Sequence, residues 1–338
     1  MKNLAKSCVA VQNRIGLLYL VGGLLFAVAA LFGILFGSTI LNIKDIFAPD
    51  FENSPAMRIL LYVRLPRTFA ALFCGAALAV SGAVIQNVLG NKLASPSVIG
   101  VNAGAGVAVT LCTAFGIYGG WLLSVFSFLG AFVTVILVSL GAKKWGNSKS
   151  TIILMGVALN SLLGAVSDTI ITFIPDVGVI SNDFKIGEFS AVTSEKLFPA
   201  VIMILATIFI LLLMTNELDI LALGEDNAKG LGMNTSLMRV IFLILAALLA
   251  GCAVSIAGLL SFVGLIVPHI VRRVAGNMSS HLVGLCALFG GGFVCLCDTL
   301  SRTAFSPYEI PVGIIMAFLG APFFLFILFK RKGEYSYD

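Results

Sequence analysis

Ten mostly apolar stretches, each near the length that crosses a lipid bilayer, constrain this 338-residue chain more than any other feature. A spanning helix needs about 20 apolar residues, and the stretches that meet or approach this length are 15–37, 67–88, 98–118, 121–141, 151–174, 197–214, 237–257, 259–272, 282–300 and 310–329. The eighth is short and belongs to continuous apolar text from Val240 to Val271, where Gly251, Gly258 and Gly264 offer breaks. We therefore predict an all-α polytopic membrane protein with about ten transmembrane helices in a single domain, residues 1–338.

Basic residues predict the orientation of these helices, because Lys and Arg collect on the cytoplasmic side of a membrane. With the amino terminus inside, 14 of the 21 basic residues lie inside and 7 outside. The inner residues are Lys2, Lys6, Arg14, Lys92, Lys143, Lys144, Lys149, Lys229, Arg239, Arg272, Arg273, Lys330, Arg331 and Lys332. Both tails, 1–14 and 330–338, are then cytoplasmic, and the first stretch, too long for a signal-peptide core, stays as an anchor.

Composition excludes several classes of protein. Hydrophobic residues make up 59% of the chain and charged residues 11%, whereas a soluble domain is roughly half apolar and about a quarter charged. The topology explains the net charge of +5 without a nucleic-acid partner. The chain has no P-loop or hydrolase motif, so we expect no enzymatic activity, and any ATP and Mg²⁺ must bind partner subunits.

Six of the seven cysteines lie in apolar stretches, and we expect them to be small buried hydrophobic side chains rather than metal ligands. The six are Cys74, Cys112, Cys252, Cys286, Cys295 and Cys297. With only two histidines in the chain, no metal site is predicted.

Arg64, Arg67 and Arg302 fall on the outer side, against the orientation rule. Pro66 suits the first turn of the second span, and arginine at that end of a helix meets the positive end of the helix dipole. A compensating partner is therefore needed. Two interpretations remain open: lipid phosphates or a neighbouring loop carboxylate on one hand, and an anion or acidic partner protein on the other.

Two loops are longer than a turn requires, the outer loop 175–196 and the inner loop 215–236. Within the inner loop, the pattern predicts a short helix that Glu225 and Asp226 begin and Gly230 or Gly232 ends. It is either a solvated loop helix or a docking helix that receives motion from a soluble partner, with Leu223 and Leu231 as apolar contacts.

Asn102, Asn160 and Asp168 lie within predicted spans, and Asp168 is the one acidic residue that we place well inside a span. Polar side chains there are costly and serve a pathway or bond neighbouring helices. We favour bonding between helices.

Five ordered blocks of sequence resemble the FecCD/BtuC type of permease, the ABC importers of iron-siderophores, heme and vitamin B12. The blocks are Arg64-Leu-Pro-Arg67 with Gly75 to Gly82 and Gln86; Ser95 to Val101 with Gly104; Leu223-Gly224-Glu225 with Ala228 and Leu231-Gly232; Ala257 to Leu265 with Pro268, His269 and Arg272; and Glu309 to Gly313 with Gly320 to Pro322. The resemblance extends over almost the whole chain.

This resemblance implies a ten-helix BtuC-like permease in the bacterial inner membrane. A second permease subunit, either an identical chain or a close homologue, two cytoplasmic ATPase subunits and an external binding protein would be its partners. It implies that Arg64, Arg67 and Arg302 receive carboxylates of the binding protein. The segment from Leu223 to Asn234 would be the ATPase-coupling helix, including Gly224, Glu225, Asp226, Ala228, Leu231 and Gly232, and the fifth span would line the gate.

An ion-coupled secondary transporter is the rival hypothesis from another class, and a receptor or membrane scaffold is a weaker one. A secondary transporter needs buried ionisable pairs or broken inverted repeats. We find no half-to-half repeat in the sequence. Among the cargoes, an iron-siderophore complex is our first expectation, with heme and cobalamin as alternatives.

Overall fold

The computed structural model describes residues 2–39, 55–145 and 148–334. Across these residues the chain forms thirteen α-helices and no strand. The helices are α1 (Lys2–Leu35), α2 (Pro55–Leu89), α3 (Val101–Ala114), α4 (Gly120–Lys144), α5 (Lys149–Phe173), α6 (Val177–Ile186), α7 (Ser194–Leu213), α8 (Thr215–Ala222), α9 (Glu225–Gly230), α10 (Thr235–Ala257), α11 (Val263–Ala275), α12 (Ser279–Thr303) and α13 (Val312–Glu334). The all-α prediction is confirmed, while residues 335–338 of the carboxyl-terminal tail lie outside the described part.

Each of the ten apolar stretches corresponds to one helix, and the three remaining helices, α6, α8 and α9, occupy the two long loops. Within the described residues, seven helices are long and apolar enough to cross a membrane, namely α1, α2, α4, α5, α7, α10 and α12. By contrast, α3 has 14 residues and α11 has 13, so each extends only about 20 Å at 1.5 Å per residue. The eighth stretch, counted among the ten predicted spans although it is short, forms a helix of only 13 residues.

The long apolar sequence that forms α10 and α11 is interrupted at Gly258, one of the three predicted positions. Gly258 has φ +69° and Phe262 has φ +67°, which is the left-handed region that favours glycine. The chain between them forms no helix. The interruption makes α11 begin at Val263, partway along the bundle.

Helix α2 begins earlier than the sequence predicted. It is helical from Pro55, but the turn before Leu65 is π-helical, so Pro66 lies in the first turn of the regular α-helical part, Leu65–Leu89, as predicted. Pro66 has no N–H and cannot donate to the carbonyl four residues before it. The residues just ahead, Leu60–Arg64, form a π-helical turn, and a wider turn of this kind accommodates the missing hydrogen bond.

The centre of the bundle is the Leu65–Leu89 part of α2, which is almost completely buried and packs against α1, α10, α11 and α12. Glycine permits the closest approaches. A Cβ atom at Gly75 would collide with the carbonyl oxygen of Gly290 in α12, and one at Gly82 with the carbonyl oxygen of Gly264 in α11. The six cysteines predicted as buried hydrophobic side chains are all buried.

Candidate functional site

The misplaced arginines belong to a buried group of charges, which we call the outer charge cluster: Arg64, Arg67, Asp298, Arg302 and Glu309. Arg67 Nε lies 3.0 Å from Asp298 Oδ1, and Arg67 Nη1 lies 2.6 Å from Glu309 Oε2. Arg302 Nε lies 3.1 Å from Asp298 Oδ2. Asp298 is fully buried, and Arg67 and Arg302 are 6% and 2% exposed. The cluster therefore ties α2, α12 and the loop before α13 together.

Arg64 and Arg302 also bind the carboxyl-terminal end of α1, which ends at Leu35. Arg64 Nη1 donates to the carbonyl oxygens of Ile34 (3.1 Å) and Leu35 (2.6 Å), and Arg302 Nη2 donates to that of Gly33 (3.2 Å). The last carbonyls of a helix have no partner within it and form the negative end of its dipole. The end of α1 thus supplies the compensating partner that the position of Arg64 required.

These contacts show which groups within the chain compensate the three outer arginines. All three arginines are buried in the folded chain. Arg64, Arg67 and Arg302 therefore do not lie exposed on the surface. A loop carboxylate, Glu309, compensates Arg67 alone. Arg64 instead binds backbone carbonyl oxygens, and Arg302 pairs with Asp298. Whether the three arginines also receive carboxylates of a binding protein stays a prediction.

Asp298 is the member of the cluster that the sequence analysis missed. Asp168, which we took as the one acid well inside a span, has a side chain that is 74% exposed and lies 3.8 Å from Lys185 of α6. Asp298 is the acid that is buried within a span-length helix. Its position four residues before Arg302, on the same helical face, was the available signal.

The charge on Glu309 is held by its neighbours. Burial raises the pKa of the Glu309 carboxyl, but the hydrogen bonds from Ser38 and Arg67 and the positive charges of Arg67 and Arg302 outweigh it. The net result is a pKa below the ordinary value of a glutamate, so this loop carboxylate stays ionised and keeps Arg67 paired.

At the opposite end of α12, the predicted short helix in the inner loop is confirmed as α9, Glu225–Gly230. Glu225 and Asp226 lie in its first turn, and Gly224 and Gly232 on either side have φ of +106° and +82°. Ala228 is buried against the bundle. The flanking residues Leu223 and Leu231 are 60% and 65% exposed, which leaves two apolar side chains available to a partner.

Glu225 attaches α9 to the bundle through ion pairs. Its Oε2 lies 3.0 Å from Arg239 Nη2 of α10, and its Oε1 lies 2.8 Å from Lys229 Nζ. Hydrogen bonds from Lys229 and Arg239 lower the pKa of the Glu225 carboxyl. Because Arg239 is 1% exposed, Glu225 connects a surface helix to the interior of the bundle.

The polar residues of the predicted spans have different environments. Asn160 of α5 donates to the carbonyl oxygen of Ser97 in a short 3₁₀ turn (2.9 Å), which supports its predicted role in bonding between helices. Asn102 in α3 is half-buried. Asp168 is exposed, and its contact with Lys185 is long.

One face of α5 carries exposed polar side chains in its second half, whereas its first half exposes the apolar Leu154 and Val157. Ser161, Ala165, Asp168 and Thr172 are all exposed and follow one another at helical spacing on the same side of the helix. The exposed residues of α7 are different, since Phe198, Ile202, Leu205, Phe209 and others like them are apolar. Exposed apolar side chains suit lipid, whereas the face of α5 suits water or protein.

Comparison with known proteins decides the family. Residues 25–330 match the FecCD transport family. The chain belongs to this family. The ABC transporter permease YvrB of Bacillus subtilis (strain 168) is 34% identical over 329 residues, covering 93% of each chain. The hemin transport permease HmuU of Yersinia pestis is 32% identical, covering 96% of this chain and 98% of that protein.

Two further relatives extend the comparison to another cargo and to a solved structure. The vitamin B12 import permease BtuC of Yersinia pseudotuberculosis (serotype O:1b, strain IP 31758) is 35% identical over 80% of this chain and 82% of its own. A chain from an inward-facing structure of a metal-chelate-type ABC transporter superposes with a TM-score of 0.82 at 30% identity, covering 94% of this chain and 99% of that one. This FecCD-type permease is therefore a multi-pass membrane protein with a known fold.

Proposed function

We propose that this permease is the membrane subunit of an ATP-driven importer that passes an iron-siderophore complex from an external binding protein to the cytoplasm. The exposed polar face of α5 is the observation on which the proposal rests. A spanning helix that exposes Ser161, Ala165, Asp168 and Thr172 is poorly suited to lipid. A second copy of the chain, or a close homologue, would cover this face and enclose a pathway beside it.

The surface around α9 supports docking of a cytoplasmic ATPase subunit. Leu223 and Leu231 are exposed on either side of a short helix with a charged face. Apolar side chains surrounded by charges are typical of a protein interface. ATP and Mg²⁺ would bind the two ATPase subunits, and this chain would supply the contact that receives their motion.

Docking of the external binding protein is proposed at the end that holds the outer charge cluster. Since Arg67 already pairs with Glu309 there, a carboxylate of the binding protein would compete with Glu309 for the same guanidinium group. The affinity of the binding protein should then fall with salt, because screening lengths shrink from about 10 Å at 0.1 M to about 3 Å at 1 M. The comparison is between wild type and a variant with Arg64→Ala, Arg67→Ala and Arg302→Ala. If both bind the binding protein with equal affinity at every salt concentration, the arginines are not part of the interface.

The cargo is proposed from the relatives, whose names include a hemin permease, a vitamin B12 permease and a probable siderophore permease. All three cargoes are metal chelates. We place the iron-siderophore complex first, and heme and cobalamin are the alternatives that a transport assay separates.

The test is uptake by liposomes that contain the permease and its ATPase subunits, with the binding protein outside. We expect ATP-dependent uptake of a radiolabelled ferric siderophore, and no loss when an ionophore removes the ion gradients. Uptake that follows the gradient and ignores ATP would support the secondary transporter instead.

Two tryptophan variants test the assignment of the pathway face. Ala165→Trp places a bulky side chain on the polar face of α5, and we expect it to reduce uptake to background. Leu205→Trp places the same side chain on the apolar exposed face of α7 and should leave uptake near the wild-type rate. Equal uptake by the two variants would contradict the pathway beside α5.

A further inference from the structure

A continuous chain of polar side chains runs through the end of the bundle predicted to face the cytoplasm. We call it the inner polar chain: Asp219, Ser279, Asn87, Arg272 and Gln86. It begins at α8, where Asp219 Oδ1 accepts a hydrogen bond from the backbone N–H of Ser279 at the start of α12 (2.9 Å). Ser279 Oγ then accepts one from Asn87 Nδ2 of α2 (3.0 Å). Three helices are joined by these two bonds.

The chain continues from α2 to α11 through Arg272. Its Nη1 donates to Asn87 Oδ1 (2.8 Å), and its Nη2 donates to Gln86 Oε1 (3.3 Å) and to the carbonyl oxygen of Ala83 (3.2 Å). The planar guanidinium group therefore contacts three acceptors on adjacent turns of α2. Several hydrogen bonds from one planar guanidinium group fix its orientation as well as its distance from α2, whereas a single bond fixes only the distance.

Gln86 links α2 to the other end of α11. Its Nε2 donates to the carbonyl oxygen of Gly264 (2.9 Å), the second residue of α11 and close to the interruption at Gly258–Phe262. Gly82 has no side chain where Gly264 approaches it. The half-length helix α11 is thus held to α2 near its start by Gln86 and in its last turn by Arg272.

Three of the five members of this chain are buried, while Asp219 and Arg272 are half-buried. Ser279 is fully buried, and Gln86 and Asn87 are 3% and 7% exposed. Buried hydrogen bonds of this kind are strengthened by the low local dielectric, and leaving one partner unsatisfied is costly. A displacement of α8 relative to α12 is therefore resisted by a series of bonds that ends on α11.

We propose that Asp219, Asn87, Arg272 and Gln86 are positioning residues through which the α8–α9 segment controls the placement of α11 during transport. This inference rests on the proposed function, because it takes the α8–α9 segment as the site where an ATPase subunit docks. Movement of that segment reaches α11 through side-chain hydrogen bonds, and α11 responds because the interrupted segment Gly258–Phe262 separates it from α10.

The test compares ATP hydrolysis with uptake in the reconstituted complex. Asn87→Leu keeps the number and branching of the side-chain heavy atoms, with a somewhat larger volume, but removes the bonds to Ser279 and Arg272. We expect assembly with the ATPase subunits and ATP hydrolysis to persist, while uptake per ATP falls at least about fivefold, the lower end of typical coupling between sites. Asn87→Asp retains an acceptor for Arg272 and lets the Ser279 hydroxyl donate instead, so it should restore most of the ratio.

Thr207→Val is the matched control, since it removes a buried hydroxyl that bonds only within α7, to the carbonyl oxygen of Met203. It should leave the ratio unchanged. Asp219→Ala changes the half-buried first member of the inner polar chain. It is the second variant, in case Asn87→Leu does not assemble with the ATPase subunits, and it should also lower the ratio of uptake to ATP hydrolysis.

The outcomes separate the two proposals. If the wild-type complex shows no ATP-dependent uptake, the proposed function fails. If the wild type transports but Asp219→Ala and Asn87→Leu keep its ratio of uptake to ATP, the function stands and the positioning role is overturned. A lowered ratio that Asn87→Asp does not restore would also overturn it, because loss of packing alone would then explain the change.

Discussion

Asp298 is the residue on which the outer charge cluster depends. It has no exposed surface, and it faces Arg67 on one side and Arg302 on the other. A buried ion costs several kcal/mol in lost hydration unless a partner compensates it. Removing the one carboxylate charge that contacts both guanidinium groups leaves Arg67 with Glu309 alone and leaves Arg302 without a charged partner.

We therefore expect Asp298→Asn to lower the free energy of unfolding by about 3–5 kcal/mol, the usual result of removing one partner from a buried ion pair. Thermal unfolding of the purified permease in detergent measures the change. Asp168→Asn is the control, because its exposed contact with Lys185 should contribute less than about 1 kcal/mol. Similar melting temperatures for the two variants would show that the buried pairs contribute no more than the exposed one.

Glu309 gives the cluster a dependence on pH. Its pKa in the folded chain is lowered, so its contribution to stability is complete above the pKa of an unfolded glutamate, about 4.3, and is lost as the pH falls through the folded value. We expect wild type to melt at a higher temperature than Glu309→Gln at pH 7, with the difference disappearing in acid below that range. A difference that persists unchanged at the lowest pH would exclude the ionised Glu309–Arg67 pair as its source.

At the scale of elements, α9 is a short helix whose stability comes from its attachments. Six residues are too few to form a helix alone in water, and buried Ala228 and the Glu225–Arg239 ion pair hold it against α10. Its acidic first turn also suits the positive end of its dipole. The element can present Leu223 and Leu231 because other residues fix its position.

Charge reversal at two adjacent positions separates attachment from docking. Glu225→Lys removes the ion pair with buried Arg239, and we expect it both to increase proteolysis of the inner loop and to weaken ATPase copurification. Asp226→Lys changes the dipole interaction by a similar amount, up to about 1 kcal/mol, but spares that pair. It should weaken copurification with little added proteolysis. Intact copurification with both variants would make α9 a solvated loop helix.

At the scale of the molecule, the two charged systems lie at opposite ends of the same two helices. The outer charge cluster joins one end of α2 to one end of α12, and the inner polar chain joins their other ends. The outer charge cluster also binds the last turn of α1, and the inner polar chain also binds α11. The buried pair α2–α12 is thus the frame to which both predicted docking ends are attached.

Cysteine labelling with a membrane-impermeant reagent tests the predicted orientation. A single cysteine in place of Glu188 or the exposed Tyr308 should be labelled from outside. A single cysteine in place of Lys149 or Leu223 should be labelled only after permeabilisation. Tyr308 is 80% exposed and therefore suits this test, whereas Arg302 nearby is buried and a cysteine there would not react. The native cysteines are replaced first. Labelling of Leu223 from outside intact cells would reverse the topology.

Local sequence patterns were enough to predict the helical class, the approximate position of all ten apolar helices and the short helix α9. These features follow from local pattern: apolar length, the dipole preference of Glu225 and Asp226, and the conformational freedom of Gly258. The unfavourable placement of Arg64 and Arg67 was also visible in the sequence, because both lie on the predicted outer side of the membrane and near the positive end of a helix dipole.

Only the tertiary structure decided how that conflict is relieved. Asp298 lies 231 residues from Arg67 and Glu309 lies 242 residues from it, and no local pattern connects positions so far apart in a chain of apolar helices. The same applies to the inner polar chain, whose bonds join Asp219 to Ser279 and Asn87 to Arg272. Helix formation depends on neighbours in sequence, but burial and pairing of charge depend on which helices the packing of the whole chain places side by side.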